Sequence, residues 1–185
     1  MKKETQILLV TSRLILRLPN EDDSIKLQSF EERNISHLSP WRSTTKEQDF
    51  KTQLIKWEQE FKEGSSIRFL LFLQDDPEGE IIGFCNFSQI FRGPFQACYL
   101  GYHIDERFER KGLMSEAVAK AIKYMFEKQK LHRIMANYMP SNERSARLLH
   151  KLGFVVEGCA KKYLLINGQW EDHILTSLTN QNWLP

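Results

Sequence analysis

Apolar and polar positions in the first third of the chain follow periods that predict one strand and two helices. Residues 13–18 alternate, with leucine at every second position, which predicts a strand. The polar residues at 20–23 offer a helix cap, and we expect a short helix from there to about Glu32. Apolar side chains at 50, 54, 57 and 61 form one stripe, which predicts a second helix over residues 45–63.

The rest of the chain continues to alternate between the two periods. We expect strands at residues 67–73, 81–91, 98–104 and 133–138. Pro77 and Gly79 make the first two of these an antiparallel hairpin. The strongest helical pattern begins near Met114, a shorter helix is predicted over residues 141–151, and a final strand pair turns at Asn167 and Gly168.

The order of these elements predicts the class of fold. A hairpin, a strand, a helix, a strand, a helix and a hairpin follow one another, which is typical of a mixed α/β (α+β) sheet with helices on both faces. The sequence contains no internal repeat, low-complexity tract or linker. We therefore expect one domain spanning residues 1–185.

Composition narrows the class of protein and of partner. The chain is 41% hydrophobic and 27% charged, as in globular proteins, and its formal net charge is +2. With no basic stripe interleaved with aromatic residues, nucleic acid is not indicated as the main partner. Apolar runs are too short to cross a membrane, so we expect no membrane association and a cytoplasmic protein.

The cysteines favour a reducing environment and no metal. Cys85, Cys98 and Cys159 are odd in number, far apart and set in apolar or strand-like stretches. They form neither a disulfide framework nor a Cys-x-x-Cys metal site. We expect all three to be buried thiols.

The turn that opens the long helix is a candidate phosphate site. At residues 110–115 several backbone N–H groups lack helical partners and converge with the positive end of the helix dipole. Gly112 permits close approach of the backbone, and Arg110 and Lys111 add positive charge. An equally weighted alternative is a plain turn glycine beside two solvated cations.

A second motif lies in the shorter helix, at residues 142–154. Ser145, Leu148, Leu149 and Leu152 share one face, and Asn142 precedes the helix, where it can act as a simple cap. On periodicity alone this segment predicts only a helix.

Together the two motifs resemble the Gcn5-related N-acetyltransferase (GNAT) superfamily. Its Q/R-x-x-G-x-G/A loop holds the coenzyme A pyrophosphate, and its later helix carries N-x-x-S/A-x-x-L-x-x-x-G-F. Glu109 and Met114 depart from the loop pattern, so Glu109 must point away from the pyrophosphate. Residues 11–17, 132–140 and 163–170 also look like the RimJ/RimL type of ribosomal-protein N-acetyltransferase, and most like its alanine-specific RimJ branch.

This resemblance implies a function and a set of partners. The chain would transfer an acetyl group from acetyl-CoA, without a metal, to the N-terminal α-amine of a ribosomal protein that begins with Ala or a similar small residue. The ribosomal subunit is a further candidate partner, and both monomer and dimer remain open. The alternatives are acetylation of a polyamine or other small amine, and a ribosome-assembly role in which acetylation is secondary.

The resemblance also implies which residues bind the cofactor. A splay between two parallel strands would expose backbone amides to the pantetheine arm, and the turn would hold the pyrophosphate. The candidate cofactor-binding residues are Tyr102, His103, Ile104, Arg110, Lys111, Gly112, Leu113, Met114, Ser115, Asn137, Asn142 and Ser145.

Catalytic and acceptor-binding residues are less defined by the sequence. Leu149 stands where many relatives have a tyrosine acid, so Ser145 is our candidate donor to the sulfur, with a packing or cofactor-binding role as the alternative. Candidates for the base are Glu157, Asp172 and His103, although residues of this kind are more often structural. The acceptor would enter between residues 34–46 and 160–172, past Trp41, Trp170 and Tyr138.

Overall fold

The computed structural model describes residues 7–42 and 49–184, which form one mixed sheet with α-helices on both faces. The strands are β1 (Leu8–Val10), β2 (Leu14–Arg17), β3 (Ile67–Leu73), β4 (Gly83–Phe91), β5 (Ala97–Ile104), β6 (Arg133–Tyr138), β7 (Val155–Ile166) and β8 (Gln169–Thr179). The helices are α1 (Ser24–Leu38), α2 (Phe50–Lys62), α3 (Leu113–Glu127) and α4 (Glu143–Lys151). The strand order is β1-β2-β3-β4-β5-β6-β8-β7, which confirms the predicted fold class.

The central strands are apolar on both sides because helices cover both faces of the sheet. On β3, Phe69 and Leu71 pack with α3 in one core, whereas Leu70 and Phe72 pack with α1 and α2 in the other. All four side chains are fully buried. Two-sided burial explains why β3 reads as a continuous apolar run instead of an alternating one.

The sheet opens between β5 and β6, its parallel pair. The two strands are in register from Ala97 and Arg133 to Tyr99 and Met135, and no pairing follows. Beyond that point β5 continues to Ile104 and β6 to Tyr138, each paired only with its outer neighbour. The predicted splay is therefore confirmed, and it leaves strand N–H and C=O groups free in the middle of the sheet.

A buried ion pair joins β2 to the start of α1. The Arg17 guanidinium donates to both carboxylate oxygens of Asp23, at 2.7 and 2.6 Å, and Asp23 also accepts from the backbone N–H of Asn20. Both side chains are almost fully buried. The hydrogen bond to Asp23 raises the pKa of Arg17 and outweighs the opposing effect of burial.

Several predicted boundaries were wrong. The first helix continues past Glu32 to Leu38. There the buried Asn34 donates to the Phe30 carbonyl and accepts from the backbone N–H of Glu106, a contact 72 residues away in sequence. The second helix begins at Phe50, with Asp49 as its cap, and residues 45–48 of the prediction lie outside the described residues.

The prediction of three buried cysteines was also wrong in one case. Cys85 and Cys98 are buried, but Cys159 is exposed because β7 forms the edge of the sheet. In the described part of the chain no helix is both long and apolar enough to cross a membrane.

Candidate active site

A cavity of about 730 Å³ lies at the splay and takes side chains from both faces of the sheet. Tyr102 of β5 points toward α4, where its hydroxyl meets that of Ser145. His103, its neighbour, points to the opposite face, where its ring packs on Phe84 at 4.9 Å between centroids. The gap between β5 and β6 is therefore a passage through the sheet, with the turn at residues 110–115 on one side and the ends of α1 and β8 on the other.

The turn before α3 has the geometry of an anion cradle. Gly112 caps the helix with φ of +75°, and Arg110 has φ of +58°. Among the described residues no acceptor is found for the backbone N–H groups of residues 110–115, and the first bond of the helix runs from Glu116 to Gly112. Free N–H groups at the start of a 15-residue helix suit phosphate oxygens, so the turn fits the pyrophosphate of acetyl-CoA.

An ion pair anchors this turn to the beginning of β2. Arg13 donates from Nε to Glu116 at 2.7 Å and from a terminal nitrogen to the Lys111 carbonyl at 2.9 Å. Ser12 also donates to Glu116. Burial alone would raise the pKa of Glu116, but hydrogen bonds from Thr11, Arg13 and Ser12 together lower it to about 2.

Glu116→Gln should therefore remove a contribution to stability that depends on pH. A carboxyl whose pKa is lower in the folded state stabilises above its unfolded pKa, and the effect disappears as the pH falls through the folded value. Urea unfolding should show wild type more stable than the variant above about pH 4.5, with the difference vanishing near pH 2. A difference independent of pH across this window would contradict the assignment.

The two departures from the family loop pattern have structural explanations. Glu109 accepts from Arg144 of α4 at 2.5 Å and lies 3.1 Å from Nε2 of His37 of α1. These partners hold its carboxylate, and Arg144 offsets its negative charge. Met114 turns its side chain into the core, with its sulfur 3.9 Å from that of Cys85, so only its backbone reaches the turn.

Helix α4 presents Ser145 to the splay. Asn142 caps this helix by accepting from the Ser145 backbone N–H at 3.1 Å, which confirms a capping role for Asn142. The Ser145 and Tyr102 hydroxyl oxygens are 2.5 Å apart. Burial raises the pKa of Tyr102 more than the hydrogen bond to Ser145 lowers it, so the phenol stays protonated.

The side of the cavity where we expected the acceptor is enclosed by α1 and the β7–β8 hairpin. Trp41 lines the cavity here, as does Gly101, where an added Cβ would meet nothing within 4 Å, whereas Tyr138 lines it from the face that carries α4. The Asn167 side chain donates to the Ser39 carbonyl at 2.6 Å and joins the hairpin tip to the end of α1. An acceptor that enters on this side would therefore lie over β5, in a space bounded by the end of α1 and the β7–β8 hairpin.

Two of the three candidate bases are not placed at the cavity, contrary to our expectation. Glu157 binds Arg133 and Ser177 near the paired end of β6, and these hydrogen bonds lower its pKa. Asp172 accepts from Lys161 and from the Lys162 backbone across the hairpin, which lowers its pKa as well. Neither residue is among those that line the cavity.

Two further predicted site residues, Trp170 and Lys111, also lie away from the cavity. The third candidate base, His103, lies at the cavity. Trp170 is 60% exposed on β8, so it is neither a cavity wall nor a core aromatic. The Lys111 side chain lies over Phe108 and is not part of the cavity wall. His103 does line the cavity, but burial, with Arg42 and His37 nearby, lowers its pKa to about 3, so it is a weak base.

The other candidate cofactor residues do reach the cavity. Besides those already described, it is lined by Ile104, Arg110, Gly112, Leu113, Met114, Ser115, Asn137 and Asn142. Within residues 7–42 and 49–184 no group of three or more His, Cys, Asp or Glu side chains is placed to hold a metal ion.

Sequence reasoning missed several residues at the cavity, and three of them bear on its charge and chemistry. His37 reaches the cavity from α1, and Arg144 reaches it from α4. Both side chains contact the carboxylate of Glu109. His173, next to the predicted Asp172, lines the cavity from β8 and is 4% exposed. Glu109 departs from the family loop pattern, and that departure could have indicated a cationic partner. The choice between Asp172 and His173 requires knowing which face of β8 borders the splay.

The fold and this site define a class of enzyme. A model of the acetyltransferase (GNAT) domain family matches residues 13–155. The chain belongs to this family. It is therefore an N-acetyltransferase that depends on acetyl-CoA.

Individual relatives narrow the comparison. The [ribosomal protein uS5]-alanine N-acetyltransferase of Escherichia coli is 46% identical over 185 residues, covering 97% of this chain and 94% of that protein. The crystal structure of the ribosomal-protein-S5-alanine acetyltransferase of Vibrio fischeri has a TM-score of 0.90 and 40% identity, and covers 97% of this chain and 100% of that one. Mycobacterium smegmatis RimJ, solved with CoA-disulfide, shares the fold at 24% identity and a TM-score of 0.84, with coverage of 97% and 89%.

Proposed function

We propose that this enzyme acetylates the N-terminal α-amine of a ribosomal protein that begins with Ala or a similar small residue. The observation that carries the proposal is the 46% identity, over 97% of the chain, to the uS5-alanine enzyme of E. coli. A match of this extent includes both walls of the acceptor side, the end of α1 and the β7–β8 hairpin. The proposal thus concerns only the identity of the acceptor amine, since acetyl transfer itself is a property of the family.

The chemistry of an α-amine agrees with the site. An α-amino group has a pKa of about 7.7–8.0 against about 10.4 for lysine, so far more of it is neutral near pH 7.5. Such an acceptor needs modest help with deprotonation, and much of the acceleration can come from holding it against the thioester. Neither Glu157 nor Asp172, the two carboxylates predicted as bases, lines the cavity, and a site without them suits an α-amine better than it suits a lysine.

Within this proposal the described residues divide the work by position. The N–H groups of residues 110–115 hold the pyrophosphate, and the backbone groups of residues 102–104 that face the gap hold the pantetheine arm. Ser145 donates a hydrogen bond to the sulfur as it leaves. Tyr102 donates to Ser145, which leaves the serine proton directed into the cavity.

Peptide acetylation tests the proposal. Purified enzyme is given acetyl-CoA with peptides of one sequence that begin with Ala, Ser or Leu, with an N-terminally blocked Ala peptide that contains Lys, and with spermidine. We expect turnover with the Ala peptide above all others and none with the blocked peptide. Preferential acetylation of spermidine or of the lysine would overturn the proposal, and binding of CoA without turnover of any amine would favour an assembly role.

Ser145→Ala tests the role of the serine. We expect kcat to fall about tenfold at saturating acetyl-CoA, the loss of about one hydrogen bond to developing charge, with little change in KM for acetyl-CoA. Ser36→Ala, an exposed serine on α1, is the matched control and should retain wild-type rates. Unchanged turnover in Ser145→Ala would assign the hydroxyl to packing.

A further inference from the structure

The cavity holds a buried imidazole that the scheme above does not use. His173 lies on β8 and is 4% exposed. Strand β8 pairs with β6 directly beside the splay, where Asn137 faces Leu175 and Tyr138 faces Ile174. Side chains two residues apart on a strand share a face, so His173 lies on the same side of the sheet as Leu175 and Asn137.

Contacts with neighbouring residues place the ring on the acceptor side. The His173 ring packs against that of Tyr163 at 5.5 Å between centroids. The Tyr163 hydroxyl in turn accepts from the side-chain amide of Asn137 at 3.3 Å. Asn137 lines the cavity together with His173 and Gly101. The imidazole is therefore held at the edge of the open space above β5.

The backbone fixes which nitrogen of His173 can accept a proton. Nδ1 lies 3.1 Å from the carbonyl oxygen of Glu171. A carbonyl oxygen can only accept, so this contact is a hydrogen bond only when Nδ1 carries the hydrogen. In the neutral ring the lone pair then resides on Nε2. An imidazole held in this tautomer by a carbonyl is in the form that a general base requires.

The other ionisable groups near the acceptor side are less suited to this task. Asp172 and Glu157 lie outside the cavity and are bound by cations. Glu109 is bound by Arg144 next to the pyrophosphate turn. Among the described residues, the His173 ring contacts the Tyr163 ring and the Glu171 carbonyl, and Asn137 binds the Tyr163 hydroxyl.

We propose that His173 is a catalytic residue whose Nε2 takes the proton from the acceptor amine as the amine attacks the thioester. The inference rests on the proposed function and names the base for it. The nitrogen–carbon bond forms and the carbon–sulfur bond breaks, while the amine proton passes to Nε2. The sulfur receives a proton from the Ser145 hydroxyl, and the proton on His173 restores that hydroxyl through cavity water, so the acetylation of a neutral amine releases no net proton.

Two substitutions test the proposal. His173→Gln retains polarity and His173→Phe retains the ring packing on Tyr163, and neither can accept a proton at neutral pH. With an Ala-starting peptide we expect kcat to fall about 10- to 100-fold in both, while KM for acetyl-CoA changes by less than about twofold. His150→Gln removes an exposed imidazole from α4 and should retain wild-type kcat. Added imidazole should restore part of the lost rate in His173→Gln and none in His150→Gln.

The outcomes separate this proposal from the function on which it rests. Wild-type turnover of the Ala peptide with unchanged kcat in either folded His173 variant would overturn the role of His173 and leave the function standing. Lack of wild-type turnover with any N-terminal peptide would instead overturn the function. Folding is checked by binding of CoA and by thermal melting. If neither variant folds, modification of wild-type His173 by diethyl pyrocarbonate, located by mass spectrometry, replaces them. Loss of activity in step with modification supports the proposal, and full activity after modification contradicts it.

Discussion

Replacing Gly112 with valine should raise the KM for acetyl-CoA by at least about 100-fold. Gly112 has φ of +75°, a conformation that costs a β-branched residue about 1–3 kcal/mol. The space itself is not the obstacle, since an added Cβ would meet only a terminal nitrogen of Arg13, at 3.6 Å. The backbone relieves the strain by rotating, and the N–H groups of the turn then no longer converge. Loss of two hydrogen bonds to a charged group, at about 1.5–3 kcal/mol each, corresponds to at least this factor in affinity.

A glycine at the opposite end of the molecule provides the control. Gly93 lies in the turn between β4 and β5 with φ of +68°, away from the cavity. Gly93→Val should destabilise the fold to a similar degree in thermal melts while KM for acetyl-CoA stays at the wild-type value. Steady-state kinetics and titration with CoA measure the comparison. Equal KM values in the two variants would show that the turn does not hold the cofactor.

Replacing Asp23 with alanine should lower the free energy of unfolding by about 3–5 kcal/mol, as expected when one partner of a buried ion pair is removed. Asp23 is 1% exposed and supplies both oxygens that bind Arg17. Without it, the Arg17 guanidinium stays buried, and among the described residues only the Leu18 carbonyl remains as its acceptor. Part of the cap at Asn20 is lost as well.

The adjacent Asp22 is the matched control for this substitution. Asp22 is exposed and its side chain forms no part of the ion pair. Asp22→Ala should cost no more than about 0.5 kcal/mol. Urea unfolding followed by circular dichroism measures both variants. Similar losses would mean that Arg17 finds another partner or reaches solvent.

Much of the fold could be predicted from local patterns because the sheet and helices have strong local signals. The apolar run at residues 67–73 and the Asn167-Gly168 turn, with φ of +49° and +83°, were assigned correctly. The end of α1 could not be predicted, since its last turn depends on Asn34 reaching the backbone of Glu106. No residue near Glu32 signals that contact.

The parts of the candidate site whose position was predicted best are formed by the backbone. The turn at residues 110–115 and the splay follow from element order and a family motif, and the structure places both at one cavity. Side chains near the acceptor were harder, because each depends on which face of a strand borders the splay. Asp172 and His173 are neighbours in sequence, yet only His173 reaches the cavity. That difference arises from the pairing of β8 with β6, which no local pattern in residues 169–179 reveals.

If acetyl-CoA binds in the gap between β5 and β6, as proposed above, the stability of the enzyme also depends on its supply of acetyl-CoA. A parallel pair normally continues its ladder, but here the hydrogen bonds stop after Tyr99 and Met135. A ligand that forms hydrogen bonds with the unpaired edges of β5 and β6 replaces the missing hydrogen bonds of the sheet, and it binds only the folded chain. At 100 times its dissociation constant such a ligand adds about 2.7 kcal/mol to the free energy of unfolding. In a cell rich in acetyl-CoA the protein would therefore have a higher free energy of unfolding. In a cell depleted of acetyl-CoA the same chain would unfold and be proteolysed more readily.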